Sequence, residues 1–332
     1  METEAYACYN KCPLKRESSS SGGLYVKLAE TVMKSGGKIF AVVYDENFET
    51  KHVEITSEEQ LRASQGSKYI PSRLGDIFIE VRAYLRAGVQ VLFVGTPCQC
   101  SGLISYLGKP YENLITIDFV CHGVPSRLAW WKYLSDLEED NIDFDRKLVS
   151  INMRDKNSGW SKYNYSWHFV YSDGYEKFVR QGEISYMKGF TSDIYLRPSC
   201  YECRFKGIKR QTDITLGDYW GVWDIQPDLD DDKGISLLLI HTENGKKLLD
   251  SISDEIEIKK ALLEKAVERN PSMVSSAKVK KKRDEFFERI ERGEKFDSAV
   301  NACTAVEKTS TIDRMKGKMK RMMNNLKLNG GG

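Results

Sequence analysis

The 332-residue sequence contains no apolar run of about 18 or more residues, which is the length that a membrane-spanning helix requires. Its N-terminus also lacks the apolar segment of a secretory signal peptide. We therefore expect a cytoplasmic protein without a transmembrane segment.

A strong excess of charge of either sign is missing as well, because the formal net charge is only +2. So small a charge gives no general argument for a nucleic-acid partner, and we expect none. The eight cysteines fit a metal or catalytic role better than disulfides, since no export signal is present.

Four of these cysteines occupy positions typical of metal ligands. Cys200 and Cys203 form a Cys-x-x-Cys pair, which brings two thiols together but supplies too few ligands for zinc or an iron–sulfur cluster. Cys98 and Cys121 each follow an apolar run. We predict that these four cysteines form one Cys₄ site assembled from three distant segments.

The segments around Cys98 and Cys121 also indicate the fold class. Residues 89–94 and 114–120 have the apolar character of buried strands, with a helical segment between them. A helical crossover makes such strands parallel, so both cysteines would lie at the carboxyl edge of the sheet, where open α/β sheets bind ligands.

We predict an α/β fold with a central, mostly parallel sheet and flanking helices. Alternating residues in 149–179 predict an antiparallel β insertion, and the Met- and Lys-rich segment 313–328 predicts a helical C-terminal tail. The expected division of the chain is 1–88, 89–270 and 271–332. We expect the basic tail to be a solvated peripheral helix, although such a helix could also contact an anionic partner, a membrane surface or RNA.

A serine- and glycine-rich run, residues 18–23, directly precedes a helical pattern. Free N–H groups at a helix start, approached through glycines, suit a phosphate or pyrophosphate. The same residues are also typical of a simple helix cap and turn, so the sequence leaves both interpretations open. Lys68, which follows Gly66 and Ser67, is similarly either a ligand contact or a solvated surface charge.

The N-terminal segment contains Cys8 and Cys12 followed by Pro13, which resembles half of a bacterial ferredoxin motif. That motif needs two further cysteines just upstream, and residues 1–7 contain none. We therefore interpret Cys8 and Cys12 as ordinary strand and loop residues.

Six motifs of this sequence resemble, in the same order, those of the beta-subunit family of coenzyme F420 hydrogenase and dehydrogenase, which also includes 7-hydroxymethyl chlorophyll a reductase. The resemblance covers roughly residues 5–290, and its specificity comes from the shared order. The motifs are residues 18–23, 66–69, 95–99, 121–125, 200–203 and 213–221.

The resemblance implies a flavin- and iron–sulfur-dependent oxidoreductase that passes electrons between a ferredoxin-like or F420-like carrier and an unspecified substrate. It implies a 4Fe-4S cluster on Cys98, Cys121, Cys200 and Cys203, with a non-covalent FAD beside it. The residues that it assigns to the flavin are Ser20, Ser21, Gly22, Gly23, Lys68, Gly95, Thr96, His122 and Gly123.

Two other functions would use the same residues. A non-redox scaffold could hold zinc on the four cysteines. A protein of nucleotide-sugar or polysaccharide biosynthesis could use the serine–glycine run for a phosphate without redox chemistry.

Overall fold

The computed structural model describes residues 2–141 and 144–305. Its strands are β1 Glu4–Asn10, β2 Lys38–Tyr44, β3 Thr50–Ile55, β4 Val91–Gly95, β5 Leu114–Phe119, β6 Leu148–Asp155, β7 Ser166–Tyr171, β8 Glu176–Arg180, β9 Ile214–Asp218, β10 Ser236–Ile240 and β11 Ile256–Lys260. Its α-helices are α1 Pro13–Glu17, α2 Leu24–Lys34, α3 Glu58–Ser64, α4 Ile77–Arg86, α5 Pro97–Leu107, α6 Arg127–Glu139, α7 Ser185–Thr191, α8 Pro198–Tyr201, α9 Val222–Ile225, α10 Glu243–Asp250, α11 Leu263–Arg269, α12 Arg283–Glu291 and α13 Phe296–Thr304.

Eight strands form the central sheet, in the order β11-β1-β10-β9-β5-β4-β2-β3. The four strands β2, β4, β5 and β9 pair in parallel. Antiparallel strands extend the sheet on both sides of this parallel centre. The α/β prediction is therefore confirmed, and the crossover helix between β4 and β5 is α5.

Local sequence explains why α5 starts and stops where it does. The Gln99 side chain accepts a hydrogen bond from the Thr96 N–H at 3.0 Å, and Pro97 occupies the first turn. Gly108 ends the helix in a left-handed conformation, with a φ of 69°. Strand β4 before it is buried along its whole length, as its unbroken apolar run predicts.

Helices cover both faces of the central sheet. On one face, α2 and α10 bury Leu28, Val32 and Leu248 against the strands. On the other face, α4 and α5 bury Val81 and Leu103 with Phe93 of β4. These two apolar layers fix the sheet between them and leave the strand ends free to carry polar groups.

The predicted antiparallel insertion is also confirmed. Strands β6, β7 and β8 form a separate three-stranded sheet. This sheet and the helices α6, α7, α12 and α13 enclose an aromatic core that includes Trp130, Trp167, Tyr186 and Phe296. The insertion therefore has a hydrophobic core of its own.

The structure bears differently on three further sequence predictions. The helix predicted at 313–328 lies outside the described residues. The division of the chain at residues 88 and 270 stays a prediction. The central sheet contains strands from both sides of residue 88. Within residues 2–141 and 144–305, no helix is long and apolar enough to span a membrane.

A buried ion pair joins β5 to the loop that precedes β9. Arg210 donates to the Asp118 carboxylate at 3.1 Å, and both side chains are almost fully buried. The Thr215 hydroxyl also bonds Asp118. Burial raises the pKa of Asp118, although the Arg210 guanidinium opposes this effect. The carboxylate therefore depends on its partners to remain ionised.

We predict that Arg210→Met lowers the free energy of unfolding by about 3–5 kcal/mol, because it leaves a buried carboxylate without its cation. Denaturant unfolding measures the loss. Arg269→Met serves as the control, since the Arg269–Asp224 pair is about half exposed and should be worth less than about 1 kcal/mol. Equal losses in the two variants would contradict the assignment of Arg210 as a buried anchor.

Candidate functional site

The carboxyl edge of the parallel strands collects most of the predicted site residues. Gly95 of β4 is paired with Asp118 of β5, and Phe119 is paired with Leu216 of β9. Because the strands run in the same direction in this register, the segments after β4, β5 and β9 emerge at one edge. Cys98 and Cys121 therefore lie at the same edge, as the crossover argument predicts.

The Cys-x-x-Cys loop contacts the segment that follows Cys121. The Val124 N–H lies 3.3 Å from the Cys200 sulfur as a hydrogen-bond donor. Arg197 N–H donates to the Val124 carbonyl at 2.8 Å, which fixes the start of α8 against the same turn. Two cysteine-bearing segments, more than 70 residues apart in the sequence, are thus joined by hydrogen bonds from the main chain.

Gly123 permits this close approach. A Cβ atom at Gly123 would lie 2.8 Å from Leu196 Cδ1 and 3.5 Å from Cys200 Cβ. The first distance is shorter than side-chain carbons tolerate, so a larger residue would have to displace the buried Leu196 side chain. Gly123 is a packing residue at this point, whatever its relation to a cofactor.

The four thiols are near enough to influence one another electrostatically. Burial raises the pKa of Cys121 to about 12, and the neighbouring thiolates of Cys98, Cys200 and Cys203 add to the increase. Burial also raises the pKa of Cys200, with smaller contributions from Cys98 and Cys203. Such thiols are ionised when a bound cation compensates the negative charge, so this donor set fits a metal centre.

Cys98 lies in the first turn of α5, and its sulfur is 3.2 Å from the Thr96 hydroxyl. Within the described part of the chain, no three His, Cys, Asp or Glu side chains are close enough together to share a single metal ion.

Lys206 supplies a positive charge beside the cysteines. Its ammonium donates to the carbonyl of Cys121, to that of His122 at 3.3 Å and to that of Ser272 at 2.8 Å. Burial lowers the pKa of Lys206, and the adjacent thiols oppose that decrease. Lys206 therefore joins three segments around the thiols. Sequence reasoning missed it, although its position three residues after Cys203 was a usable signal.

His122 is held by a carboxylate and a hydroxyl. Its Nε2 lies 2.7 Å from Asp193 Oδ1, and its Nδ1 lies 3.1 Å from the Ser272 hydroxyl. The ring packs edge-on against Phe190, with 5.0 Å between the ring centres. Both ring nitrogens are thus engaged with protein groups.

The serine–glycine run also lies at the carboxyl edge, between β1 and α2. Gly23 adopts a φ of 78°, and no side chain caps the N-terminus of α2, where Gly23 and Leu24 are buried. A buried, uncapped helix start leaves N–H groups for another partner, which fits an anion. Gly22 has a different role, because a Cβ there would lie 2.8 Å from Ser236 N of β10.

Buried cations surround this loop. Arg154 donates to the Ser20 carbonyl at 3.0 Å and pairs with Asp218 at 2.9 and 3.1 Å, while its Nε is buried without a partner in the described chain. Lys156 donates to the Ser21 carbonyl at 2.6 Å. Both residues were missed by sequence reasoning, because nothing in the sequence links them to a loop more than 130 residues away.

Lys68 and Lys156 are half-buried and form no ion pair with a described carboxylate. Burial lowers the pKa of Lys68 to about 7. Burial, together with repulsion from Arg16 and Arg154, also lowers the pKa of Lys156 to about 7, although the more distant carboxylates of Asp218 and Asp231 oppose the decrease. Both ammonium groups donate only to main-chain carbonyls. A desolvated ammonium group without a paired anion is unfavourable, so the region around the loop fits an anionic ligand.

A row of aromatic rings connects the serine–glycine loop to the cysteines. The Tyr69 hydroxyl accepts a hydrogen bond from Arg154 at 3.1 Å. The Tyr69 ring lies 5.1 Å from that of Phe190, which in turn contacts His122. The anion-favouring loop and the thiols therefore belong to one continuous region of the protein.

The remaining predicted residues lie in this region too. Ser20 accepts a hydrogen bond from the Ser67 N–H at 2.6 Å, next to Lys68. Ser21 donates to the Ile235 carbonyl at 2.8 Å. Gly95 and Thr96 form the turn between β4 and Cys98. Their contacts with a flavin stay a prediction, as do the ligand roles of the cysteines.

The other described cysteines have separate surroundings. Cys8 is buried in β1, with its sulfur 3.8 Å from the Ser236 carbonyl. Cys12 precedes α1, and Cys303 lies in α13. Cys100 faces the interior and contacts the Ile117 carbonyl at 3.5 Å. The helical offset between Cys98 and Cys100 thus places the two thiols in different environments.

Residues 88–265, more than half of the chain, match the family model for the C terminus of the coenzyme F420 hydrogenase/dehydrogenase beta subunit. The chain belongs to this family. The fold is also similar to a chain in the structure of the F420-reducing [NiFe] hydrogenase complex from Methanosarcina barkeri. That comparison has a TM-score of 0.54 and 16% identity, and it covers 87% of this chain and 93% of the other. A search of curated proteins found no match.

We predict that metal-free, folded protein shows two classes of thiol in alkylation at pH 8. Cys98, Cys200 and Cys203 are partly exposed and should be labelled, whereas Cys8 and Cys100 are buried and should not. Burial also raises the pKa of both protected thiols, which suppresses the reactive thiolate. Peptide mass spectrometry measures the labelling, with denatured protein as the control. Rapid labelling of Cys100 would contradict the packing of α5.

Proposed function

We propose that this chain is an electron-transfer oxidoreductase with a 4Fe-4S cluster and an FAD. Cys98, Cys121, Cys200 and Cys203 would hold the cluster. The observation that carries the proposal is that three distant segments bring four partly buried thiols to the carboxyl edge of the sheet, beside Lys206. Membership of the F420 hydrogenase and dehydrogenase beta-subunit family supports the same assignment.

The residues around the serine–glycine loop would hold the flavin. The buried start of α2 supplies N–H groups for a pyrophosphate, and Arg154, Lys156 and Lys68 provide positive charge. All three ammonium hydrogens of each lysine are used by carbonyls, so the lysines would favour an anion through their charge while they fix the loop.

When bound, the cluster supplies one-electron transfer and the flavin couples it to a two-electron reaction. The chain's own residues orient the two sites. The Tyr69, Phe190 and His122 rings pack in a row between the serine–glycine loop and the cysteines. The electron partner would be a ferredoxin-like carrier or a separate subunit.

A zinc scaffold would use the same four thiols, so metal analysis is what distinguishes it from a cluster.

Metal and flavin analysis of anaerobically purified protein tests the proposal. We expect about four irons and four sulfides per chain, the content of one cubane, together with one FAD. A Cys203→Ser variant should lose most of the iron, whereas Cys8→Ala combined with Cys12→Ala should retain all of it, since those thiols lie elsewhere. A colourless protein with stoichiometric zinc would overturn the assignment, and about eight irons halved by the double substitution would show a second cluster.

We further predict that Lys156→Met weakens FAD binding at least about tenfold, equivalent to about 1.4 kcal/mol, while iron content is unchanged. Because the pKa of Lys156 is about 7 in the free protein and should rise beside a phosphate, binding takes up a proton. Wild-type affinity should therefore fall as pH rises above 7, and less steeply in the variant. Flavin fluorescence titrations at pH 6 and pH 8 measure both effects.

Two further variants separate charge from folding. Lys156→Arg keeps the positive charge and should restore affinity if the charge is what matters. Lys162→Met, which changes an exposed lysine of the same insertion, should have no effect. If Lys156→Met, Lys156→Arg and Lys162→Met all bound FAD as tightly as the wild type, Lys156 would not belong to the flavin site.

A further inference from the structure

An exposed basic surface lies directly over the Cys-x-x-Cys loop. Four of its side chains are cations that form no ion pair with any described residue, and two are exposed apolar groups, Phe205 at 39% and Val279 at 66% exposure. We call this patch the basic surface, and it consists of Arg204, Phe205, Lys278, Val279, Lys280 and Lys281.

Hydrogen bonds hold the two halves of the basic surface together. The Cys203 N–H donates to the Ser276 hydroxyl at 3.0 Å, so the segment that carries Lys278 begins against the cysteine loop. The Lys278 N–H donates to Asp193 Oδ2 at 3.4 Å, and the other Asp193 oxygen contacts His122. The surface is therefore fixed to the same residues that surround the thiols.

The charge of this surface is local. The whole chain has a formal charge of only +2, yet the cations of the basic surface face few carboxylates. Glu202 is exposed beside them, and Asp284 is exposed but lies 3.5 Å from Arg283. An apolar centre within a charged rim is the composition of a protein–protein contact, and excess positive charge selects an acidic partner.

We propose that the basic surface docks an acidic electron-carrier protein. This inference rests on the proposed function, since it names the partner that exchanges electrons with the cysteine site. Docking there places the carrier next to Cys203. One electron would pass from the reduced carrier to a centre held by the four cysteines, so the carrier would be oxidised by one electron and the loaded chain reduced by one. No bond forms or breaks.

The test uses full-length, anaerobically purified protein and a strongly acidic reduced ferredoxin as the probe. One variant combines Lys278→Glu, Lys280→Glu and Lys281→Glu. The matched control combines Lys34→Glu, Arg86→Glu and Lys109→Glu, three exposed cations in or just after α2, α4 and α5, which end at the opposite edge of the parallel strands. Both sets change the formal charge equally, and thermal melting verifies that both variants are folded.

Stopped-flow absorbance measures the rate of electron transfer from the ferredoxin. We expect the first variant to react at least about tenfold more slowly at low ionic strength, because electrostatic steering is reversed. The difference should shrink as salt is added, since screening removes steering. The control variant should lose much less. Phe205→Ala should weaken the complex at high salt as well, because apolar contacts are not screened.

Other outcomes would overturn the proposal. Equal slowing of both variants would show an effect of net charge alone, and an unchanged rate in the first variant would exclude the basic surface. Loss of binding to anionic phospholipid vesicles, with an unchanged ferredoxin rate, would assign the surface to a membrane instead. Reduced methyl viologen, a small cationic donor, does not need the basic surface, so it tests the proposed redox function separately from the docking proposal. If it too fails to reduce the wild type, the proposed redox function itself is wrong.

Discussion

Parallel pairing of β4 with β5 and of β5 with β9 is the constraint on which the site depends. Side chains alternate between the two faces of a strand, so a slip of one residue would move each side chain to the opposite face. The apolar layers on both faces prevent such a slip. Because the register is fixed, Cys98, Cys121 and Asp218 all emerge at one edge of the sheet. The apolar faces of the helices therefore determine where the polar chemistry lies, and the first turns of α2 and α5 contribute to it directly.

Desolvation then sets the character of that edge. Arg154 and Arg210 are buried with the carboxylates of Asp218 and Asp118, so their charges are balanced inside the protein. Lys68 and Lys156 lack such partners, and their lowered pKa values express the cost of that burial. For Cys121 the disfavoured charge is negative, because burial disfavours its thiolate. A bound anion at the serine–glycine loop would offset the desolvation of the two lysines, and a bound cation at the thiols would offset that of the Cys121 thiolate. The two sites therefore complement each other.

The sequence was most informative where a signal is local. Apolar runs identified β4 and β5 with a helix between them, and the Cys-x-x-Cys spacing identified one half of the thiol group. Arg154, Lys156 and Asp193 were not predictable, because their partners lie about 70 to 135 residues away and no local pattern marks them. Gly22 illustrates a third case: the sequence placed it in a loop before a helix and left a phosphate site and a simple cap both open, whereas its packing against β10 required the tertiary structure.

Asp193 shows how the separate parts of the site are held in place. Its backbone has a φ of 63°, a left-handed conformation that costs energy for a residue with a side chain, although aspartate tolerates it better than most. The conformation persists because His122, the Lys278 N–H and the Tyr201 hydroxyl all bond to Asp193. Burial raises the pKa of Asp193, but the hydrogen bond and charge of His122, the Lys278 N–H and the charge of Lys280 together outweigh it and lower the pKa below the usual value. Asp193 therefore contributes stability above its ordinary pKa, and that contribution is lost only as the pH falls through the lowered value. At neutral pH the ionised Asp193 carboxylate thus holds both His122, beside Cys121, and the segment that begins at Lys278, over Cys203. A displacement of one would therefore move the other.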